Sequence, residues 1–447
     1  MNDTRHITPS HHIVPPCRII GVLDDGPVSL TPNALAYIEQ ADVIIGGNRT
    51  LQLFTRHFAA HAQRRDLTGQ LMQIPDWIRE AQADALQVVV LATGDPLCHG
   101  IAGFLQSRLC IESCEVLPNV STVQLACARL GIPWQDLKIC SVHNADAGEW
   151  QVGAGPDHGL YPILHALQHH DRLAILTSPD NTPDRIARLL VHEGLDEHFR
   201  MAVAEHLLQK DENIIHDSSI AQAAETRFAD PNVTVLWRTH PAPRPVLFGL
   251  ADEDFHQRKP DKGLITKREV RAVSLARLQL RATSVVWDIG AGSGAVGLEA
   301  ARLVPDGYVY AIEKNTDDVA IAIQNQRTLG IHNYTVIQAK APQGMEHWPD
   351  PDAVFIGGSG GELAALIRQC LQRLTDQGVL VMNFVTVENL STAVDTLKET
   401  GASWDITQLQ ASRSRPILNM HRLTAENPVW VVCAQTANAN KQPRQLT

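Results

Sequence analysis

The sequence predicts two α/β domains in tandem, and three observations lead to that prediction. The chain has 447 residues, which is enough for two or three domains of ordinary size. Short runs rich in Val, Ile and Leu alternate with helical patterns in both halves. A stretch with four prolines interrupts this alternation near the middle. We therefore expect a disordered tail over 1–16, a first domain over 17–238, a linker over 239–262 and a second domain over 263–447.

The first half contains five apolar runs that are typical of buried strands. They are CRIIGVL, ADVIIGG, LQVVVLAT, RLAILTS and VTVLW. Helical patterns lie between them, as in TPNALAYIEQ, IAGFLQSRL and STVQLACARLG. Because continuous apolar strands that alternate with helices are typical of βαβ units, this half predicts a largely parallel sheet.

The second half repeats the alternation with different sequences. Its apolar runs lie in TSVVWDIGAGSG, GYVYAIEKN, YTVIQAKAP, PDAVFIGGSG, QGVLVMNF and NPVWVVCAQ. Each of the first four runs ends in glycine, acidic or amide residues, which are frequent where strands give way to turns. We therefore expect a second α/β domain with its own sheet.

Composition excludes several classes of protein. The formal net charge is −11 and the pI about 6.0, so a global basic surface for nucleic acid is not expected. No apolar run reaches 18 residues and the polar N-terminus lacks a signal pattern, so we expect neither a membrane span nor secretion. The eight cysteines are scattered, which favours reduced thiols and a cytoplasmic location. No histidine or cysteine spacing indicates a metal site.

The most informative motif is a glycine-rich turn between a strand and a helix in the second half. Gly290, Gly292 and Gly294 follow Asp288, and Glu313 ends the next strand. Glycines allow a ligand to approach the backbone, and the helix that follows presents free N–H groups. A carboxylate at the position of Glu313 can accept hydrogen bonds from ribose hydroxyls.

Two cofactors use such a turn. The spacing Gly292-x-Gly294-x-x-Gly297 matches the dinucleotide fingerprint, which leaves an NAD-dependent dehydrogenase as one alternative. Asp288 would repel a pyrophosphate, however, whereas it suits the ammonium and sulfonium of S-adenosylmethionine. The motif therefore favours S-adenosylmethionine as cofactor and S-adenosylhomocysteine as its product.

The second half resembles the class I, Rossmann-like methyltransferases, and two further motifs narrow the resemblance. Residues 263–271 (GLITKREVR) precede the glycine strand, and residues 352–358 (DAVFIGG) follow it. Both are similar to the C-15-methylating, decarboxylating subunits of corrin biosynthesis.

The first half resembles the tetrapyrrole methylase family, in particular its precorrin C-5-methylating branch. The resemblance rests on the order of its motifs, which are the Ile-Ile-Gly strand end at Gly21 followed by Asp25-Gly26-Pro27 and Leu30-Thr31, the run ADVIIGG, the turn TGDPLCHG and the helix start LPNVST. It implies a two-lobed α/β domain that binds S-adenosylmethionine through these loops. The implied cofactor residues are Gly21, Gly94, Asp95, Pro96, Gly100, Ser121 and Thr122. Leu23 replaces a glycine of the family pattern, which leaves a non-catalytic first half as a second alternative.

Together the two resemblances imply one enzyme of cobalamin biosynthesis, a homo-oligomer, that methylates a precorrin at C-5 and C-15 and decarboxylates its C-12 acetate. No catalytic acid or base is assigned, because alignment of the methyl group with an electron-rich carbon does most of the work. A substrate with many carboxylates requires basic side chains. The segment 258–281 carries eight basic against two acidic residues, which gives a net charge of +6. The expected substrate-binding residues are Lys267, Arg268, Arg271, Arg413 and Arg415.

Overall fold

The computed structural model describes residues 15–143, 145–240, 246–258 and 265–436. The chain forms two compact units. Unit 1 extends to Val152 and includes His158–Ala242, and unit 2 comprises Gly153–Asp157 and the chain from Pro243. The expected tail over 1–16 lies outside the described residues, apart from its last two positions.

The first lobe of unit 1 is a parallel sheet with helices between its strands. The strands are β1 (Cys17–Val22), β2 (Val43–Gly46), β3 (Gln63–Asp66), β4 (Val88–Thr93) and β5 (Cys114–Leu117). The helices are α1 (Pro32–Gln40), α2 (Asn48–Leu53), α3 (Ile74–Ala83), α4 (Ile101–Arg108) and α5 (Thr122–Leu130). The strand order is β3-β2-β4-β1-β5, and every pair is parallel. The predicted parallel sheet is confirmed for this lobe.

The second lobe of unit 1 has a mixed sheet. Its strands are β6 (Lys138–Ser141), β7 (Arg172–Leu176), β8 (Phe199–Glu205), β9 (Asn213–Ser219) and β10 (Asn232–Arg238), and its helices are α6 (Tyr161–His169), α7 (Pro183–His192) and α8 (Ile220–Ala224). The order is β6-β7-β10-β8-β9, in which only β6 and β7 are parallel. The prediction of a largely parallel sheet was wrong for this lobe. Seven residues join β8 to β9, which is too short for a parallel crossover.

Unit 2 has a seven-stranded sheet and a separate hairpin. The helices are α9 (Arg268–Leu278), α10 (Ala295–Leu303), α11 (Thr316–Thr328), α12 (Leu363–Arg373) and α13 (Val387–Thr400). The strands are β11 (Val285–Ile289), β12 (Tyr308–Glu313), β13 (Tyr334–Gln338), β14 (Ala353–Ile356), β15 (Val379–Phe384), β16 (Ser403–Leu409), β17 (Ser412–Ile417), β18 (Met420–Ala425) and β19 (Val429–Gln435). The order is β13-β12-β11-β14-β15-β19-β16, with β19 antiparallel to both neighbours, and β17 pairs with β18.

The sheet of unit 2 separates two apolar layers, as expected for a doubly wound fold. Val286 faces the layer formed with α9 and α10, whereas Trp287 faces the layer formed with α12 and α13. Both side chains are fully buried. The strand order reverses between β12 and β14, on either side of β11, so the carboxyl end of β11 is the topological switch point where such folds bind ligands.

Much of the expected linker over 239–262 is built into unit 2. Phe255 is only 3% exposed and lies in the apolar layer beside α9 and α10, and Asp252 is 5% exposed. The backbone N–H groups of Gly249 and Leu250 donate to the Glu299 carboxylate at 2.8 and 2.9 Å. Residues 241–245 and 259–262 of this stretch lie outside the described residues. Within the described part of the chain, no helix is long and apolar enough to cross a membrane.

Candidate cofactor and substrate sites

The glycine turn of unit 2 lies at the switch point. The backbone of Gly290, Gly292 and Gly294 has φ of 72°, 55° and 77°, the left-handed region that favours glycine. A Cβ on Gly290 would lie 2.6 Å from the carbonyl oxygen of Gly358, which follows β14. The turns after β11 and β14 are therefore in direct contact, and no larger residue fits between them.

Asp288 lies beneath this turn and is 1% exposed. Its Oδ2 accepts the N–H of Gly297 in the first turn of α10 at 3.0 Å. Burial raises the pKa of Asp288 to about 7, against the opposing effect of the Gly297 N–H and with a smaller contribution from Glu313. Among the described residues, Oδ1 of Asp288 has no hydrogen-bond partner.

Two further polar atoms near the start of α10 are buried and lack a partner in the described part of the chain. They are the hydroxyls of Ser293 and Tyr334. A Cβ on Gly294 would lie 3.0 Å from the Tyr334 hydroxyl, and burial raises the pKa of Tyr334 well above its usual value. Buried polar groups are normally hydrogen-bonded, so this concentration of unpaired atoms fits a site for a polar ligand with both donors and acceptors.

Glu313 connects the end of β12 to the glycine turn. It is 8% exposed, and its Oε2 accepts the N–H of Gly292 at 3.0 Å while Oε1 accepts the N–H of Asn315 at 2.9 Å. Each carboxylate oxygen can accept a second hydrogen bond. Glu313 therefore holds the turn in place and keeps capacity for ligand hydroxyls.

The prediction that Arg271 binds the substrate was wrong. Its side chain is fully buried, and it bonds Glu299 at 3.0 Å and Asp252 at 3.2 Å. Its other donors bond the carbonyl oxygens of Thr266 and Leu250, and its guanidinium lies over the Phe255 ring. Four of its five N–H donors are thus bonded within the protein, and the buried guanidinium is out of reach of a substrate carboxylate, so Arg271 has a structural role.

The other predicted cations differ in their availability. Arg413 is 24% exposed and bonds both Glu269 and Asp252. The resulting pair raises the pKa of Arg413 and lowers that of Glu269. Arg415 on β17 is exposed, Lys267 is half-buried as the N-cap of α9, and the exposed Arg268 bonds the carbonyl of Gly249 at 2.7 Å.

Unit 1 contains a cleft of about 570 Å³ between its lobes, a volume typical of small-molecule sites. Four of the predicted cofactor residues line it, and these are Asp95, Gly100, Ser121 and Thr122. Ser121 also forms a reciprocal capping pair with Gln124 at the start of α5. Ser121 therefore has a helix-capping role as well as a position in the cleft wall.

The remaining predicted residues of unit 1, Gly21, Gly94 and Pro96, are not among the described residues that line the cleft. A Cβ on Gly21 would lie 2.2 Å from the Gly94 carbonyl oxygen, so the ends of β1 and β4 pass too close for any side chain. A Cβ on Gly100 would lie 2.4 Å from the carbonyl oxygen of Pro96. Gly94 itself has φ of 69°, which favours glycine.

Sequence reasoning missed the contribution of the second lobe to this cleft. His143 follows β6, Thr177 follows β7 and Asn232 begins β10, and all three line the cleft. The polar residues directly after RLAIL were the available signal, because strand ends at one edge of a sheet form ligand sites. In the first lobe, Asp24 also lines the cleft and bonds Arg49 at 3.2 Å.

Comparison with known proteins matches both units. Residues 17–223 match the family model of the tetrapyrrole (corrin/porphyrin) methylases, and residues 259–435 match that of the precorrin methyltransferase domain. A precorrin-6Y C(5,15)-methyltransferase [decarboxylating] from Sinorhizobium sp is 30% identical over 422 residues, which cover 90% of this chain and 92% of the relative.

Other relatives match a smaller share of the chain. A cobalt-precorrin-6B C(15)-methyltransferase (decarboxylating) from Salmonella typhimurium is 39% identical over 172 residues, which cover 38% of this chain and 88% of that protein. A crystal structure of precorrin-6Y C5,15-methyltransferase from Geobacter metallireducens GS-15 is 37% identical and covers 43% of this chain and 99% of its own, with a TM-score of 0.41. From the match across both units, this chain belongs to the family of the precorrin-6Y C(5,15)-methyltransferases (decarboxylating).

Proposed function

We propose that this chain converts precorrin-6Y to precorrin-8X, by methylation at C-5 and C-15 and loss of CO₂ from the C-12 acetate, with S-adenosylmethionine as methyl donor. The observation that carries this proposal is the alignment of both units with one relative that has these activities in its name. The chain is an S-adenosylmethionine-dependent methyltransferase acting on a tetrapyrrole. This reading replaces the dehydrogenase alternative.

The two reactions are divided between the units in this proposal. Unit 1, over 17–238, carries the C-5 methylation, and the second domain carries the C-15 methylation and the decarboxylation. Support comes from relatives that match only 42% and 38% of this chain and are named for C-15 only. The burial of Phe255 and Asp252 supports a start of the second domain before residue 252 rather than at 263.

S-Adenosylmethionine, when bound, supplies a methyl group made electrophilic by its sulfonium. In unit 2, Oδ1 of Asp288, which has no partner among the described residues, would accept the ammonium group, and Glu313, which already holds the glycine turn, would accept hydrogen bonds from the ribose hydroxyls. Gly290, Gly292 and Gly294 give the cofactor access to the backbone. These residues bind and orient, and the alignment they impose accounts for most of the rate.

In unit 1, Asp95, Gly100, Ser121 and Thr122 form the cofactor wall of the cleft. Gly21, Gly94 and Pro96 hold its loops together.

In this proposal the substrate carboxylates bind to Lys267, Arg268 and Arg415 during the C-15 methylation and decarboxylation. Arg413 contributes less, because it is already paired with Glu269 and Asp252. Arg268 and Arg415 are exposed, and neither forms an ion pair with a described acidic residue. A guanidinium bonds a carboxylate through two parallel N–H donors, so these side chains can fix the acetate that is lost.

We also propose a cytoplasmic location and a homo-oligomer. All eight cysteines are free thiols, which supports a reducing compartment. The hairpin of β17 and β18 exposes Leu418, Met420 and Leu423, at 94%, 61% and 74%, which supports burial of this hairpin against a second copy. Light scattering coupled to size-exclusion chromatography tests the oligomer, and a monomer at all concentrations contradicts it.

Calorimetric titration of S-adenosylhomocysteine into the intact chain tests the whole proposal. Two sites per chain are expected, and NAD⁺ should not bind. Asp288→Ala should remove one site and the C-15 product, while Asp95→Ala should impair the C-5 product. NAD⁺ binding, or one variant removing both products, contradicts the proposal of two independent transferase sites.

A further inference from the structure

Under the proposed function, on which this inference rests, methylation of the substrate at C-5 leaves a proton that must be removed from that carbon. C-5 is a bridge carbon of the tetrapyrrole that carries one hydrogen. When this carbon gains a methyl group, the conjugation across it is restored only by loss of that hydrogen as a proton. A base positioned in the cleft of unit 1 would accelerate this step by about 10²–10⁴-fold.

His143 is placed for this task by the sheet of the second lobe. It follows β6 by two residues, and Thr177 directly follows the neighbouring parallel strand β7. Val142 donates its N–H to the Leu176 carbonyl at 2.9 Å, so the pairing of the two strands continues up to these residues. His143 and Thr177 of the second lobe line the same cleft as Ser121 and Thr122 of the proposed cofactor wall.

One hydrogen bond determines the tautomer of His143. Its Nδ1 lies 3.0 Å from the carbonyl oxygen of Thr177. A carbonyl oxygen can only accept, so Nδ1 carries the hydrogen and Nε2 of the neutral ring keeps its lone pair. The Thr177 hydroxyl donates to Oδ1 of Asn232 at 2.7 Å, and Thr177 is 6% exposed, so the acceptor is held in place.

Other cleft groups are less suited to act as the base. Oδ2 of Asp24 is occupied by Arg49 and Gln209, and Oδ1 of Asp95 accepts the N–H of Leu97. His99 lines the cleft too, but among the described residues none forms a hydrogen bond that would orient its ring. Of the cleft histidines, His143 has both an orienting bond and a free ring nitrogen.

We propose that His143 is a catalytic residue of the C-5 methylation, with Nε2 accepting the proton from the methylated carbon. A π-electron pair of the tetrapyrrole forms the new bond from C-5 to the methyl carbon, and the S–CH₃ bond breaks with its electrons staying on sulfur. The C-5–H bond then breaks, its electron pair restores the ring conjugation, and the proton moves to Nε2. No oxidant or reductant is needed.

The test uses the full chain with His143→Asn, because an Asn amide keeps an N–H donor for the Thr177 carbonyl and lacks the second ring nitrogen. In single-turnover reactions, formation of the C-5 product should fall about 10²–10⁴-fold. A substrate deuterated at C-5 should show a larger primary isotope effect in the variant than in the wild type. An intermediate with interrupted conjugation should appear in its absorption spectrum, because methyl transfer then precedes a slow proton loss.

The matched control is His216→Gln, an exposed histidine on the edge strand β9. This control should keep the wild-type rate, and S-adenosylhomocysteine should bind both variants with unchanged affinity. Asp230 also lines the cleft and offers a second carboxylate as a competing base. The inference is overturned if His143→Asn keeps the wild-type rate and isotope effect, or if Asp230→Asn alone abolishes the step. Failure of the proposed function is distinguishable, because the wild type would then form no C-5 product.

Discussion

Replacing Arg271 with Met separates a structural role from a substrate-binding role. The guanidinium is fully buried and makes hydrogen bonds to two carboxylates and two carbonyl oxygens, at 2.5–3.2 Å. Removing one member of a buried ion pair costs about 3–5 kcal/mol, because its partner is left buried and uncompensated. One kcal/mol shifts the melting temperature of a 150–250-residue domain by about 2–4 °C, so the transition of unit 2 should fall by about 6–20 °C.

Differential scanning calorimetry of the intact chain measures this shift. The control is Arg368→Met, which removes an ion pair with Glu399 whose partners are 50% and 63% exposed. Such surface pairs contribute about 0–1 kcal/mol, so the control should barely move the transition. The reasoning is refuted if Arg271→Met leaves the melting temperature unchanged and instead raises the KM for the precorrin.

Three further perturbations address the glycine turn and the domain boundary. In Gly297→Ala the new Cβ would lie 2.4 Å from Oδ2 of Asp288, so S-adenosylhomocysteine binding to unit 2 should fall at least tenfold in calorimetry while unit 1 still binds. Asp288 has a folded pKa of about 7 against an ordinary 3.8, so its contribution to stability is present below about pH 4 and is lost as pH rises through 7. The melting temperature of Asp288→Asn should therefore equal that of the wild type at pH 4 and exceed it at pH 8. Melting temperatures that differ by the same amount at every pH would contradict this. A fragment 243–447 should unfold cooperatively in urea, whereas a fragment 263–447, which lacks Phe255, should be less stable. Equal urea midpoints for the two fragments would show that 246–258 is a linker that does not stabilise unit 2.

Strands with a continuous apolar pattern could be predicted from the sequence, and polar strands could not. The runs assigned to β1, β2, β4 and β7 are strands in the structure, because central strands are covered on both faces. By contrast, β3 consists of Gln63–Asp66, four polar residues at the edge of its sheet. The hairpin of β17 and β18 is also largely exposed. Exposed strands need no apolar face, so only their backbone pairing identifies them.

Local motifs of the candidate sites were likewise predictable, whereas contacts between distant segments were not. The glycine turn with Asp288 and the G-D-P turn with Asp95 each lie within a few residues of sequence, and the structure places them at strand ends. The free Nε2 of His143 depends on a carbonyl 34 residues away. Nothing in the sequence around His143 encodes that bond, which arises from the parallel pairing of β6 and β7.

The charge of the segment 258–281 shows why basic clusters cannot be assigned to substrate by counting. Its net charge of +6 includes arginines whose acidic partners lie outside the segment. Arg258 pairs with Asp318, Arg271 with Asp252 and Glu299, and Arg277 with Asp405. A charge count along the sequence therefore includes arginines whose charge is already paired with a carboxylate in the folded protein. The cations of this segment without an acidic partner among the described residues are Lys267, Arg268 and Arg281. Because Lys267 and Arg268 stand together at the start of α9, free positive charge in this segment is concentrated there, beside the positive end of the helix dipole.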